Sequence, residues 1–249
     1  MIPGFDQGLQ EVCDSRKSAI INNELKRLNI DIAALQETRL ADEGKIRESD
    51  YTFFWRGLPA EERRLYGVGF AVKNTLLPQI VEPTGGSERI LRLSLHTSSG
   101  TANLLSIYAP TQMADSDIKD QFYDELENEL SSIPVSEELF LLGDFNARVG
   151  SDREAWSECL GSYGVGKIND NGQRLLELCC NLGLCIGNTF FKGRLRRRVS
   201  WRHPRSGHWH QLDMIVTRRS FIGSFLKVRS YHSADCDTDH AMVVGKLRL

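Results

Sequence analysis

The sequence predicts an α+β sandwich, two β-sheets packed face to face with helices on their outer faces. Three observations point there. Short apolar or alternating segments recur along the whole chain, two or three helical segments are interspersed among them, and the order is not the strict strand–helix alternation of a parallel sheet. No repeat and no linker interrupts the 249 residues, so one domain spanning residues 1–249 is expected.

Taken in order, residues 15–28 (SRKSAIINNELKRL) predict a helix with apolar positions at Ala19, Ile20, Leu25 and Leu28. IDIAALQE (30–37), YTFFWRG (51–57) and GVGFAVKN (67–74) read as strands. RILRLSLHT (89–97) and TANLLSIYAPT (101–111) read as a hairpin turning at Ser98-Ser99-Gly100. Residues 115–133 predict an amphipathic helix with Ile118, Phe122, Leu126 and Leu130 inward and Asp115 or Ser116 as cap. ELFLLGD (138–144) is a strand, and residues 171–184 are a helix with Asn171 as candidate cap and Gly183 as stop. CIGNTFF, VSWRHP, HQLDMIVTRR and AMVVGKLRL read as further strands.

Composition narrows the classes. With 31 basic against 33 acidic residues, the chain is not a strongly basic packaging protein, and any charged surface must be local. The run RLRRRVSWRHPR (194–205), with Arg218 and Arg219, is such a basic patch. No apolar run is long enough for a bilayer, and the first residues lack a secretory pattern. The six cysteines (Cys13, Cys159, Cys179, Cys180, Cys185, Cys236) form no C-x-x-C pair or zinc spacing. They read as reduced thiols of an intracellular protein.

The polar residues at strand ends carry the chemistry. Glu37 ends IDIAALQE, Tyr108 ends NLLSIY, Asp144 and Asn146 follow LFLLG, Asp213 sits in an apolar strand, and Asp239-His240 precede AMVVGKL. Each alone has an ordinary reading as a solvated end or a turn cap. Asp213 is the exception, because a charge in an apolar strand needs a partner. If the chain stays extended, Asp144 and Asn146 emerge on one side with Phe145 turned into the core.

QETRL, SIYAPT, LLGDFNARVG, HQLDMIV and TDHAMVV stand in the order found in the endonuclease/exonuclease/phosphatase superfamily, which the chain resembles from about residue 15 to its end. LNIDIAALQETRLAD, GVGFAVKN and SWRHPRSGHWHQLD resemble the retrotransposon-derived endonuclease domain of craniofacial development protein 2-like proteins, a non-LTR retrotransposon group. The resemblance implies a four-layered α/β sandwich and a DNA-nicking phosphodiesterase that uses Mg²⁺, with Mn²⁺ as substitute. It implies Glu37 as metal ligand, with Asp239 supporting the metal or the histidine. Asp144 would activate water, Asn146 hold that water or a phosphate oxygen, and Tyr108 and His240 bond the phosphate. Asp213 would orient His240. Arg196, Arg197, Arg198, Arg202 and Arg205 would bind nucleic acid, and Trp201 and Trp209 would pack in the core or stack on bases, with Trp201 the one expected to pack.

Members of the family begin with a strand bearing an Asn, ahead of the stretch matching MIPGFDQGL. The expectation is therefore an N-terminally truncated copy, with that strand before Met1. A monomer acting on DNA in the nucleus, without membrane or obligate protein partner, is expected. A catalytically impaired remnant that binds nucleic acid or protein is the alternative reading. A lipid or inositol phosphatase is a weaker one, because SWRHPRSGHWHQLDMI lacks the P-x-W-x-D-R-I of inositol phosphatases.

Overall fold

In the computed structural model, residues 17–234 and 238–248 are described. Helix α1 (residues 17–27) precedes a first sheet made of β1 (Ile32–Gln36), β2 (Glu43–Arg47), β3 (Tyr51–Arg56) and β4 (Val68–Lys73), in the order β1-β4-β3-β2. The second sheet contains β5 (Ile80–Val81), β6 (Ile90–Thr97), β7 (Gly100–Tyr108), β8 (Glu138–Asp144), β9 (Leu184–Ile186) and β12 (Asp213–Arg218). Its order is β5-β6-β7-β8-β12-β9. Among the described strands only β7 and β8 pair in parallel, and α2 (Ser116–Ser131) makes the crossover between them. Helix α3 (Asp170–Asn181) leads into β9. Two ribbons complete the chain: β10 (Trp201–Arg202) with β11 (Trp209–His210), and β13 (Phe225–Tyr231) with β14 (Met242–Leu247).

Strand alternation builds four layers. Phe54, Phe70 and Val72 of the first sheet face Leu93, Leu104, Phe140 and Ile215 of the second. Their strand neighbours point the other way. Tyr51, Phe53 and Ala71 pack on Leu25 of α1. Leu105, Ile107 and Leu141 pack on Phe122, Leu126 and Leu130 of α2 and on Leu175, Leu176 and Cys179 of α3. The expected sandwich is thus present, with its layers in the order α1, sheet, sheet, α2 and α3.

Some elements differ from expectation. In α2 the inward row omits Ile118, which is 45% exposed, while Lys119 is buried and its ammonium donates to Gln112 O and pairs with Asp170. The cap of α3 is Asn169, whose side chain accepts from Gly172 N at 2.8 Å. Asn171, the second residue of the helix, is buried and donates to Pro110 O and Asn146 O. Gly183 follows the helix with φ +63, as its place past the helix end requires. Strands β2, β5 and β13 were not anticipated. β2 is a charged edge strand, and in β13 a register shift between Phe225 and Lys227 breaks the alternation.

Arg218 does not belong to the basic patch. It is buried, and its guanidinium donates to the carbonyls of Ile133, Pro134 and Glu137 beyond the end of α2. Cys159, Cys179, Cys180 and Cys185 are free thiols, whereas Cys13 and Cys236 lie outside the described residues, as do Ser15 and Arg16 of the expected first helix. Among the described residues no helix is long and apolar enough to cross a membrane.

Candidate active site

The second sheet places three polar residues in one row at a common end. Tyr108, the last residue of β7, pairs with Asp144, the last of β8. Asp144 in turn lies opposite Asp213, the first of β12. Gly143 permits this row. A Cβ there would lie 1.9 Å from Ile107 O, so β7 and β8 could not approach as they do with any other residue.

The first sheet delivers Glu37 to the same row. Gln36 Nε2 donates to Ser106 Oγ at 3.1 Å, and Ser106 Oγ donates to Leu35 O at 3.0 Å. These bonds tie the end of β1 to β7. Glu37 then leaves the strand at φ +52, a conformation uncommon for a non-glycine residue. Its carboxylate accepts from the Tyr108 hydroxyl at 2.8 Å and pairs with Arg39 at 2.8 Å. Burial first, then the bond to Glu37, holds the Tyr108 hydroxyl well above the ordinary phenol range.

Asp144 is buried and Oδ1 accepts from the backbone N–H of Asn146 at 2.8 Å. Asn146 adopts φ +47, so the chain is not extended there. The extended geometry from which side-by-side emergence of Asp144 and Asn146 was expected is therefore absent. The Asn146 amide instead donates to Ala109 O at 3.0 Å and braces the end of β7. Phe145 points into the helix-side core, as expected.

Residues 199–212 and the start of β14 close the site from the other side. Ser200 Oγ accepts from Leu212 N and Asp213 N, and Ala241 N donates to Ser200 O at 2.6 Å. Trp201 and His240 form an antiparallel bridge, and the Trp201 indole N–H donates to Asp239 Oδ2 at 2.8 Å. His240 Nδ1 lies 2.9 Å from Asp213 Oδ2. That contact leaves Nε2 as the ring nitrogen free to meet a ligand.

The electrostatics oppose one another in a useful way. Burial, then the charge of Asp213, pushes the Asp144 carboxyl up to about 7. Burial alone would lower His240. The hydrogen bond and charge of Asp213, with Asp144 and Asp239, outweigh it and raise the imidazole to about 9. A buried carboxyl able to accept a proton thus stands beside an imidazolium able to donate one.

Glu37, Tyr108, Asp144, Asp213 and His240 are joined by hydrogen bonds or strand pairing, and Asp239 adjoins them through His240 and Trp201. Arg196, Arg197, Arg202 and Arg205 are exposed in or near the β10–β11 ribbon. Arg198 is half-buried and donates to Tyr163 O. Trp201 is not a core residue but lies among His203, His210 and His240, at ring-centroid distances of 5.5, 5.9 and 6.2 Å. Trp209 is 41% exposed, with its ring edge-on to His232. Arg89 beside Tyr108 was not anticipated. It precedes an alternating strand, and nothing in its spacing marks it.

Residues 7–244 match the Endonuclease/Exonuclease/phosphatase family. The chain is 29% identical over 233 residues to craniofacial development protein 2 of Bos taurus, covering 94% of this chain and 39% of that protein. It therefore spans about two fifths of the curated relative. The fold is similar to the endonuclease domain of TRAS1, a telomere-specific non-LTR retrotransposon (TM-score 0.64, 16% identity, 93% of this chain and 92% of that one). It is also similar to the 3′ phosphatase NExo from Neisseria, bound to a product DNA hairpin (TM-score 0.62, 19% identity, 92% and 96%).

Proposed function

Because the chain belongs to the endonuclease/exonuclease/phosphatase family, we propose that it hydrolyses phosphodiesters of DNA, as a metal-dependent nicking endonuclease of retrotransposon origin. The observation that carries this reading is the Tyr108–Asp144–Asp213 row with His240 anchored on Asp213 and Glu37 facing it from the other sheet.

Asp144 takes the proton of the attacking water, for which a carboxyl raised to about 7 is suited near neutral pH. His240 donates from Nε2 to a non-bridging oxygen of the phosphate and meets the negative charge that grows as the bond to the leaving oxygen breaks. Asp213 fixes the tautomer and angle of that ring. Tyr108 holds the Glu37 carboxylate, and Asn146 holds Asp144 through its backbone N–H.

Among the described residues no three His, Cys, Asp or Glu side chains are grouped as a metal site, but Glu37 and Asp239 offer the hard oxygen donors that Mg²⁺ or Mn²⁺ takes. These ions need only one or two carboxylates beside water and phosphate. The charges of Asp213 and Glu37 both raise Asp144, an excess of negative charge that a dication relieves. Glu37 and Asp239 would hold the ion, which supplies charge neutralisation at the phosphate. The exposed arginines at positions 196, 197, 202 and 205 would track the DNA backbone, and the DNA-bound neighbour supports that substrate class.

A plasmid-nicking assay tests the proposal. Nicking in Mg²⁺, lost in EDTA and in Asp144→Asn, is the expected result. DNA binding without nicking would instead mark a non-catalytic binding module. Release of phosphate from an inositol phosphate with no nicking would move the chain to the phosphatase branch.

A further inference from the structure

Arg89 stands at the end of the row that holds Tyr108, and nothing in the mechanism above uses it. Its guanidinium carbon lies 3.9 Å from the ring centroid of Tyr66 and 5.6 Å from that of Tyr108. One N–H donates to Tyr108 O at 3.1 Å. The two rings are 6.3 Å apart and inclined at 52°, and the Arg89 guanidinium stands over Tyr66 with the Tyr108 ring on its flank.

Three features make this more than packing. A guanidinium has five N–H donors, and Arg89 makes no other side-chain hydrogen bond and no ion pair among the described residues. It is half-buried, and its unbonded donors are not sealed in the core, so a ligand can reach them. And it sits one phenol ring away from Glu37, which Tyr108 binds through its hydroxyl. The other arginine at this corner, Arg39, is already paired with Glu37. A planar fork held by aromatic rings, with unbonded donors one phenol ring from Glu37, suits a phosphate diester oxygen pair.

We infer that Arg89, seated on Tyr66, clamps a phosphate of the nucleic-acid strand adjacent to the one that is cut. The inference rests on the nuclease reading and adds a substrate contact to it. The clamp sets where along the strand the scissile phosphate stops relative to Asp144 and His240. Arg89 therefore acts on binding and register, leaving the proton transfers to the other residues.

The test is a binding measurement in EDTA, by fluorescence anisotropy with a short DNA duplex, for wild type, Arg89→Gln and Arg89→Lys. Arg89→Gln is expected to weaken binding roughly tenfold and to flatten the slope of log affinity against log salt by about one. Arg89→Lys should keep the slope, because it keeps the charge, while recovering part of the affinity. A scan of single neutral methylphosphonates through the duplex should find one position that weakens wild type yet leaves Arg89→Gln unaffected. A purely structural role for Arg89 produces no such position. If Arg89→Gln melts below the assay temperature, the same scan with Arg89→Met, which keeps an aliphatic stem against Tyr66 without the charge, makes the comparison. Equal affinity and slope, with every methylphosphonate acting alike on wild type and variants, overturns the clamp while leaving the nuclease reading intact. No DNA binding by wild type overturns the nuclease reading and the clamp with it.

Discussion

Asp144 and Asp213 stand directly opposite each other across the β8–β12 ladder. Like charges so placed repel. The strain is met from two sides. Asp144 is raised to about 7 by burial and by that charge, and Asp213 shares its negative charge with the His240 imidazole at 2.9 Å. An aspartate pair that weakens the ladder is therefore the same device that separates a base from an acid.

Replacing Asp144 by asparagine should stabilise the fold while disabling the reaction. The raised acid binds its proton more tightly in the folded chain than in the unfolded one. Its contribution to stability is complete below the ordinary value of 3.8 and is lost as pH rises through about 7. Asparagine carries no such loss and can still accept from Asn146 N. In metal-free thermal melts, the Tm of Asp144→Asn minus that of wild type should grow from pH 5 to pH 8. Turnover in Mg²⁺ should fall roughly 10²–10⁴-fold, the scale for loss of a general base. A difference in Tm that is flat with pH would mean that Asp144 titrates normally.

His240 sets the alkaline limit. Its folded value of about 9 lies above the ordinary 6.5, so its contribution to stability is whole below 6.5 and is lost as pH rises through 9. The active form has Asp144 ionised and His240 protonated. The profile of kcat/KM should thus rise with a midpoint near pH 7, peak near pH 8 and fall with a midpoint near pH 9, with limbs that belong to the coupled set rather than to one residue. A bound dication favours the ionised Asp144 and moves the acid limb below 7. In His240→Gln the alkaline limb should vanish and turnover drop roughly 10²–10³-fold. An unchanged limb in that variant would assign it to another group.

Trp201 links the β10–β11 ribbon to the segment bearing His240. Phenylalanine at this position keeps a ring among His203, His210 and His240 but removes the N–H that Asp239 accepts at 2.8 Å. If Asp239 supports the metal, Trp201→Phe should raise the Mg²⁺ concentration giving half-maximal nicking by about 10- to 100-fold, the cost of losing an outer hydrogen bond to a ligand. Binding of DNA in EDTA should stay at the wild-type level. Unaltered Mg²⁺ dependence would leave Asp239 outside the metal's reach.

The layers were legible in the sequence because burial by alternate residues, as at Phe53 and Phe54 or Leu104 and Leu105, is a local pattern. The residues meeting at the site were legible as strand ends, and the resemblance supplied their roles. Their junctions were not legible. Glu37 reaches Tyr108 through the Gln36–Ser106 bond, which joins residues 70 positions apart. Side-by-side emergence of Asp144 and Asn146 required the chain to stay extended past the strand end, and no local pattern reports the left-handed conformation of Asn146. Arg218 was misread because a run of charge is read as surface, whereas a single arginine can be buried by three carbonyls. Arg89 was missed for a related reason. Its significance lies in the two rings around it, and Tyr66 and Tyr108 belong to different sheets or their connections.

Gly143 tests whether the row itself matters. A methyl group at this position would meet Ile107 O at 1.9 Å, Ile107 C at 2.8 Å and Ile107 N at 3.0 Å. All three atoms are backbone, so no flexible side chain can yield. Relief requires β7 to part from β8 one residue before Tyr108 and Asp144, the pair on which the site depends. Gly143→Ala should therefore cost roughly 1–3 kcal/mol in denaturant unfolding, the range for overpacking. It should also lower kcat more than it raises KM, because it displaces the base from the attacking water rather than DNA from the surface. Gly223→Ala is the matched control, since its Cβ would meet nothing within 4 Å and its stability and turnover should stay at wild-type levels. If Gly143→Ala also melts and nicks like wild type, the two strands have slack there, and the close approach of β7 and β8 does not set the geometry of Tyr108 and Asp144.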